Sequence, residues 1–328
     1  MTNFDSVSVV IPTRNRSRLV TRAIASALNS GTACGEVIVV DDRSTDDTRD
    51  VVAAVSDQRV RYFYVESQGG SAARNFGFRA ARSDLIKFLD DDDYLIPGGL
   101  TRQLAAFRTL SSDSRSHLIV YGDPRVTGQV FSRRSWREIP ARRRDGETDV
   151  EYLTRVNIQT SCPLHQRRLL DEVGGFDESL RASQENDLHL RLALQGVHFV
   201  RIPGDIYVFD NSSRRSRIST QERSHSVVES RFNLLLGRQK MLTSFFEGDL
   251  PSSIRRVLAR DFRECQRWAR QARFDDLEAM SAERAIDLWD SGSLELRFAG
   301  LVSYGVVKRL GAKIAKRIRG VFRHRRTN

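Results

Sequence analysis

Short apolar runs alternating with helical periods set the character of the first two hundred residues. Val7 to Ile11, Val37 to Val40, Val60 to Val65 and Leu85 to Leu89 are brief, largely β-branched or apolar stretches that predict strands. Between them, Arg14 to Asn29 carries Leu19, Ala23, Ala27 and Leu28 at helical spacing, and Ala72 to Ala81 reads the same way. Ser44-Thr45-Asp46-Asp47 offers capping oxygens for a helix through Val55, with Ser44 the expected cap. Strand and helix in strict alternation mean βαβ units, and hence an α/β domain built on a mostly parallel sheet flanked by helices.

The pattern continues with a helix over Gly98 to Leu110 and a strand over Leu118 to Tyr121. A basic, Pro-containing loop over Arg133 to Asp145 is expected to move. Short helices over Asp149 to Arg155 and Arg167 to Val173, a helix over Glu185 to Gln195 and a strand over Val197 to Ile202 follow, then a Ser/Arg-rich loop over Asn211 to Thr220. From His225 onward strand patterns give way to long helical ones. This places a domain boundary between residues 224 and 225, with a helical extension over 225–328. No internal repeat is visible.

Composition changes the picture in two places. The three cysteines, Cys34, Cys162 and Cys265, stand far apart with no CxxC pair, which argues against a zinc site or a disulfide framework and fits a reducing compartment. No histidine pair has metal-ligand spacing. Neither a secretory leader nor an apolar run of membrane-spanning length is apparent, so a cytoplasmic location is expected. The net charge of +11 is concentrated at one end. Residues 294–328 hold ten Lys/Arg against Glu295 alone, or +9, which leaves +2 for the remainder. Val307, Leu310, Ile314, Ile318, Val321 and Phe322 recur there at three- and four-residue steps between basic residues. That predicts an amphipathic helix lying on an anionic membrane surface, on the inner face of the cell membrane. A tail helix packed on the body is the plainer reading. Nucleic acid is not expected, since no recognition motif accompanies the charge.

The most concentrated chemistry is Phe88-Leu89-Asp90-Asp91-Asp92-Asp93, where four carboxylates follow a buried strand. Beyond the carboxyl end of a strand in an open α/β sheet is where ligands bind, and carboxylate oxygen suits Mg²⁺ or Mn²⁺. An acidic turn capping the next helix fits the same residues, and the motif alone leaves both readings open.

Taken in order, Val-Ser-Val-Val-Ile-Pro-Thr-Arg-Asn-Arg (7–16), Val-Ile-Val-Val-Asp-Asp-Arg-Ser-Thr-Asp-Asp-Thr (37–48), Gly-Gly-Ser-Ala-Ala-Arg-Asn-Phe-Gly (69–77), Phe-Leu-Asp-Asp-Asp-Asp (88–93), Gly-Gly-Phe-Asp-Glu (174–178) and Gln-Glu-Asn-Asp-Leu-His-Leu-Arg (184–191) resemble the inverting family 2 glycosyltransferases of GT-A fold. The likeness spans roughly residues 6 to 215. It implies a sugar moved from a UDP- or dTDP-type nucleoside-diphosphate sugar to a hydroxyl of a saccharide, lipid-linked if the tail binds membrane. Cell-surface polysaccharide or glycan synthesis would be the setting.

The resemblance also implies residue roles. Pro12, Thr13 and Arg14 would lie against the nucleotide, Asp42 would accept from the base imide, and Arg74 would meet the diphosphate. In the DxD signature Asp92 would be the direct ligand of Mg²⁺ or Mn²⁺ and Asp90 would face the ribose or donor sugar. Asp91, between them on the nucleotide side, and Asp93 would serve as spacer and cap. Where many members place a metal-ligating His, this chain has Asp210. The general base falls at Glu185, where the family usually has the shorter Asp. A carboxylate here takes the proton from the attacking hydroxyl; starting a helix is the alternative use of that charge. Asp187 is the fallback, and Asp177 binds a sugar hydroxyl or closes a turn. The departures at Glu185 and Asp210 keep a non-catalytic nucleotide-sugar-binding or scaffolding protein as the alternative. A nucleotidylyltransferase fits poorly, because Pro12-Thr13-Arg14-Asn15 lacks glycine.

Overall fold

The computed structural model describes residues 4–66, 69–110, 117–128, 142–212 and 224–288. The amphipathic stretch 307–323, the arginines at 214–217 and most of the 133–145 loop lie outside these described residues. The chain forms two compact units, Met1–Thr220 and Gln221–Asn328.

In the first unit, β1 (Val7–Thr13) is buried at every position, and β2 (Cys34–Asp42) at all but one. Strands covered on both faces read as continuous apolar runs, which is why these were conspicuous in the sequence. With β3 (Val60–Val65) and β4 (Leu85–Phe88) they form a parallel set in the order β3-β2-β1-β4. The helices between them are α1 (Ser17–Leu28), α2 (Thr48–Ala53) and α3 (Gly70–Ala80), with a 3₁₀ turn at Gly31–Ala33. Gly77 brings α3 onto the sheet. A Cβ there would stand 2.3 Å from Val10 Cγ1.

The sheet continues through β7 (Pro163–Gln166), β6 (Leu118–Thr127), β8 (His198–Asp210) and the two-residue β5 (Tyr94–Leu95). β7 runs antiparallel to both neighbours and β5 antiparallel to β8, so six of the eight strands share one direction. Four helices complete the unit: α4 (Gly99–Thr109), α5 (Asp149–Arg155), α6 (Arg167–Glu172) and α7 (Gln184–Leu194). The expected mixed, mostly parallel sheet flanked by helices is what forms.

Several boundaries differ from expectation. Pro12 does not end β1; it pairs in register with Val40. The carbonyl of Val10 faces β4, accepting from Leu89 N, so the ring nitrogen of Pro12 faces that side too, past the last β4 pair. Its missing N–H is not needed there. β8 runs eight residues beyond Ile202, because a bulge absorbs Pro203 and Gly204 (φ +87°) where the register with β6 shifts. Ser44 does not cap α2, which begins at Thr48. Asp46 accepts from Thr48 N at 3.1 Å, while Ser44 Oγ accepts from Asn15 N at 2.8 Å.

The second unit holds α8 (His225–Phe245), α9 (Ser252–Gln271) and α10 (Asp275–Asp287). Phe232 and Phe262 meet edge to face, and Arg270 Nε donates to the buried Glu278 at 2.8 Å. Among the described residues no helix is long and apolar enough to cross a membrane.

Candidate active site

Because β1 and β4 are neighbours running the same way, residues just past β1 must meet residues just past β4. That places the Pro12–Arg16 segment against the four aspartates. The aspartates divide among several partners, with Arg16 shared by Asp91 and Asp92. Asp90, half-buried, accepts from Arg74 Nη2 of α3 at 2.6 Å. Asp91 is buried and accepts from Thr13 Oγ1 at 2.8 Å and Arg16 Nη1 at 2.7 Å. Asp92 accepts a longer bond from Arg16 at 3.2 Å, and its carbonyl accepts from Arg22 Nη2 at 2.6 Å. Asp93 reaches across to β8, where Asp210 N donates to its Oδ1 at 3.2 Å. Asp93, expected as a cap for the next helix, instead fixes the end of β8.

Burial pushes the Asp91 carboxyl up to about 6; Arg16 opposes the rise and Asp92 adds to it. Asp210 goes the other way, to about 2. Burial works against this, and bonds from Ser212 and Arg22 more than offset it.

Asp90, Asp92 and Asp93 each offer an oxygen within 4.8 Å of the others. Asp210, expected as a ligand, is outside that group and is held by Arg22 Nη1 at 2.5 Å. The five carboxylates Asp90, Asp91, Asp92, Asp93 and Asp210 face three guanidiniums, Arg16, Arg22 and Arg74. The formal remainder is two negative charges, which one divalent cation cancels, and the all-oxygen donor set suits a hard one.

Arg14, the expected nucleotide contact, is exposed, and the cation facing the aspartates is Arg16, two residues on. Arg22, stacked 4.5 Å over the Tyr94 ring, is a second one that sequence reading missed. The adjacency of β1 and β4 was the available signal. Asp42 is buried and accepts from Gly69 N at 3.0 Å, tying the end of β2 to the loop before α3. Arg74 packs closely over Gly70, where a Cβ would stand 3.0 Å from Nη1. Arg74 Nε and Ser71 Oγ, both in the first turns of α3, are buried without a partner among the described residues.

On the other side, Glu185 sits in the first turn of α7, half-buried, with Oε1 accepting from Asn157 Nδ2 at 2.8 Å. Asp187 is taken by Arg191, with Nε at 2.8 Å and Nη2 at 2.7 Å. Asp177 accepts from Ser179 N and Oγ and so closes its own turn. Gly175 (φ +75°) lies flat against α3, where Asn75 bonds Phe176 N and O.

An open, mostly parallel sheet carrying a carboxylate cluster past its central strand, with a further carboxylate on a later helix, is a GT-A architecture. The chain belongs to glycosyl transferase family 2, whose family model matches residues 8–174, just over half of it. The succinoglycan biosynthesis protein ExoU of Rhizobium meliloti is 31% identical over 207 residues, 59% of this chain and 58% of that protein. A GalNAc(5)-diNAcBac-PP-undecaprenol beta-1,3-glucosyltransferase of Campylobacter jejuni is 40% identical over 99 residues, 29% of this chain and 32% of that one. The chain thus spans about a third to three-fifths of the length of these curated relatives. Among solved structures, S. aureus TarS 1-349 in complex with UDP-GlcNAc superposes with a TM-score of 0.59 at 15% identity, covering 91% of this chain and 93% of that one. The mannosyltransferase PcManGT from Pyrobaculum calidifontis, in complex with GDP-Man and Mn²⁺, gives 0.54 at 16% identity, covering 97% and 83%. At such identities the likeness is one of fold.

Proposed function

We propose that the chain is an inverting, metal-dependent glycosyltransferase that moves a sugar from a UDP- or dTDP-type donor to a hydroxyl of a saccharide, lipid-linked, in glycan or polysaccharide synthesis. The observation that carries this reading is the group Asp90, Asp92 and Asp93 past β4, within the family-matched region and beside Arg74. The Campylobacter relative, named for an undecaprenol-linked acceptor, and ExoU, named for succinoglycan synthesis, support the class of acceptor. The basic stretch 294–328 suits work at an anionic membrane surface.

Asp92, with Asp90 and Asp93, would hold Mg²⁺ or Mn²⁺, which supplies charge for the departing diphosphate. Arg74 and the amino end of α3 add positive potential for the same phosphates. Pro12 and Thr13 offer a flat backbone edge to the base, and Asp42, which accepts from Gly69 N and Arg43 Nε, would use its remaining acceptor capacity for the imide. Glu185 takes the proton from the acceptor hydroxyl as its oxygen bonds to the anomeric carbon. The bond to the diphosphate oxygen breaks on the opposite face, inverting the centre and releasing nucleoside diphosphate. Displacing the charged diphosphate in a single step requires a base and a leaving-group stabiliser at once, the roles this reading gives to Glu185 and to the Asp90, Asp92 and Asp93 group.

The test is nucleoside diphosphate release from a panel of UDP-, dTDP- and GDP-sugars with Mn²⁺. Release is expected from one donor class, and EDTA or Asp92→Ala should abolish donor binding. Binding that survives both removes the metal from the reading.

A further inference from the structure

We infer that Asn157 is the positioning residue for the Glu185 carboxylate, and that the span 157–162 fixes the acceptor side to the donor side. This deepens the reading of Glu185 as the base and rests on it.

Glu185 is held by one oxygen only: Oε1 takes the 2.8 Å bond from Asn157, and no bond to Oε2 is present among the described residues. A general base needs this arrangement, with one oxygen anchored and the other available for the incoming hydroxyl. The amide is itself unusual. Asn157 Oδ1 is buried and has no partner among the described residues, so only the end facing Glu185 is satisfied. Flipping the amide would set oxygen against carboxylate, so the carboxylate dictates its orientation. An asparagine present only to join two elements would be expected to have both ends bonded, because an orphaned buried acceptor is costly.

The span itself is held firmly. Lys87 Nζ and Gln103 Nε2, both fully buried, donate to Cys162 O at 3.2 and 2.9 Å. Cys162 N closes back on Gln159 O at 2.9 Å. One residue before Cys162, Ser161 Oγ accepts from Asp90 N at 3.3 Å. The same six residues therefore contact Asp90 at one end and Glu185 at the other. Distance between the two reacting partners is thus set by one short, mostly buried segment, where an error of about 1 Å is enough to lose roughly 100-fold in rate.

The experiment uses the full chain, Mn²⁺, the sugar nucleotide of the panel that wild type cleaves fastest, and water as acceptor. Asn157→Ala is expected to lower kcat roughly 10- to 100-fold while the donor KM stays within about 3-fold. Asn157→Gln, which keeps an amide donor on a longer side chain, should recover part of kcat and keeps the test open if the alanine variant folds poorly. Glu185→Gln is measured in parallel. If it cleaves donor like wild type, the base reading fails and this inference with it. If it is inactive while Asn157→Ala matches wild type in kcat, this inference alone fails. A change in donor KM with kcat preserved also overturns it.

Discussion

Lys87 gives the sharpest expectation. Its ammonium lies wholly inside the fold, donating to Gln103 Oε1 at 2.8 Å and Cys162 O at 3.2 Å, with no carboxylate bonded to it among the described residues. Desolvation lowers its pKa to about 7. Against an ordinary lysine near 10.4, the charged form in the fold costs about 4–5 kcal/mol. Below about pH 7 folded and unfolded chains both hold the proton, and the folded chain bears that cost in full. As pH rises through 7 the folded chain releases the proton while the unfolded chain keeps it to about pH 10, so stability climbs across that window. Lys87→Met keeps the shape and removes the charge, but strands the Gln103 carbonyl at about 1–3 kcal/mol. The variant should therefore be more stable than wild type by about 2–3 kcal/mol at pH 6. By pH 9 wild type should have recovered about 2.5 kcal/mol of the difference. Urea unfolding of both proteins at the two pH values reads this directly. A gap that stays constant between them, or a methionine variant less stable at both, refutes a lysine that titrates inside the fold.

Two further expectations concern the site's frame. Arg16→Ala leaves Asp91 buried without its guanidinium and should cost about 3 kcal/mol at pH 7. The loss should shrink toward pH 5, where the Asp91 carboxyl, already raised to about 6, is protonated; urea unfolding at both values checks it. Gly175→Ala combines φ +75° with a Cβ 2.4 Å from Asn75 Oδ1 and 2.8 Å from Phe78 Cε1. It should destabilise by about 2 kcal/mol or more, read as a lower urea midpoint with unchanged slope.

What sequence made legible follows from which signals are local. β1, β2 and β4 are buried on both faces, so their apolar runs stood out, and the acid cluster could be placed at a strand end. β7 carries His165 and Gln166, buried polar residues paired across the sheet, and β5 is two residues long; neither has a period to detect. The partners of the aspartates were the harder part. Arg14 is expected at the nucleotide, and no pattern in the sequence marks a cation for Asp91 or Asp92. Asn15, at φ +53°, turns the chain so that Arg16 faces those acids. That Asp93 joins Asp90 and Asp92 while its carboxylate accepts from Asp210 N is likewise a matter of sheet order, since β5, directly after the cluster, pairs with the distant β8.

The side chains of the four aspartates meet α3, the end of β1 together with Arg16, Arg16 ahead of α1, and β8 in turn. Adjacent codons should therefore give different phenotypes. Substitution of the buried Asp91, outside the metal group, should deplete folded protein; substitution of the half-buried Asp90 should leave abundance largely intact and silence turnover; and the buried Asp92 and Asp93, which also offer oxygens to the metal, should show both effects. A survey scoring activity alone would rank all four as equivalent; scoring cellular protein level alongside it separates the keystones from the ligands.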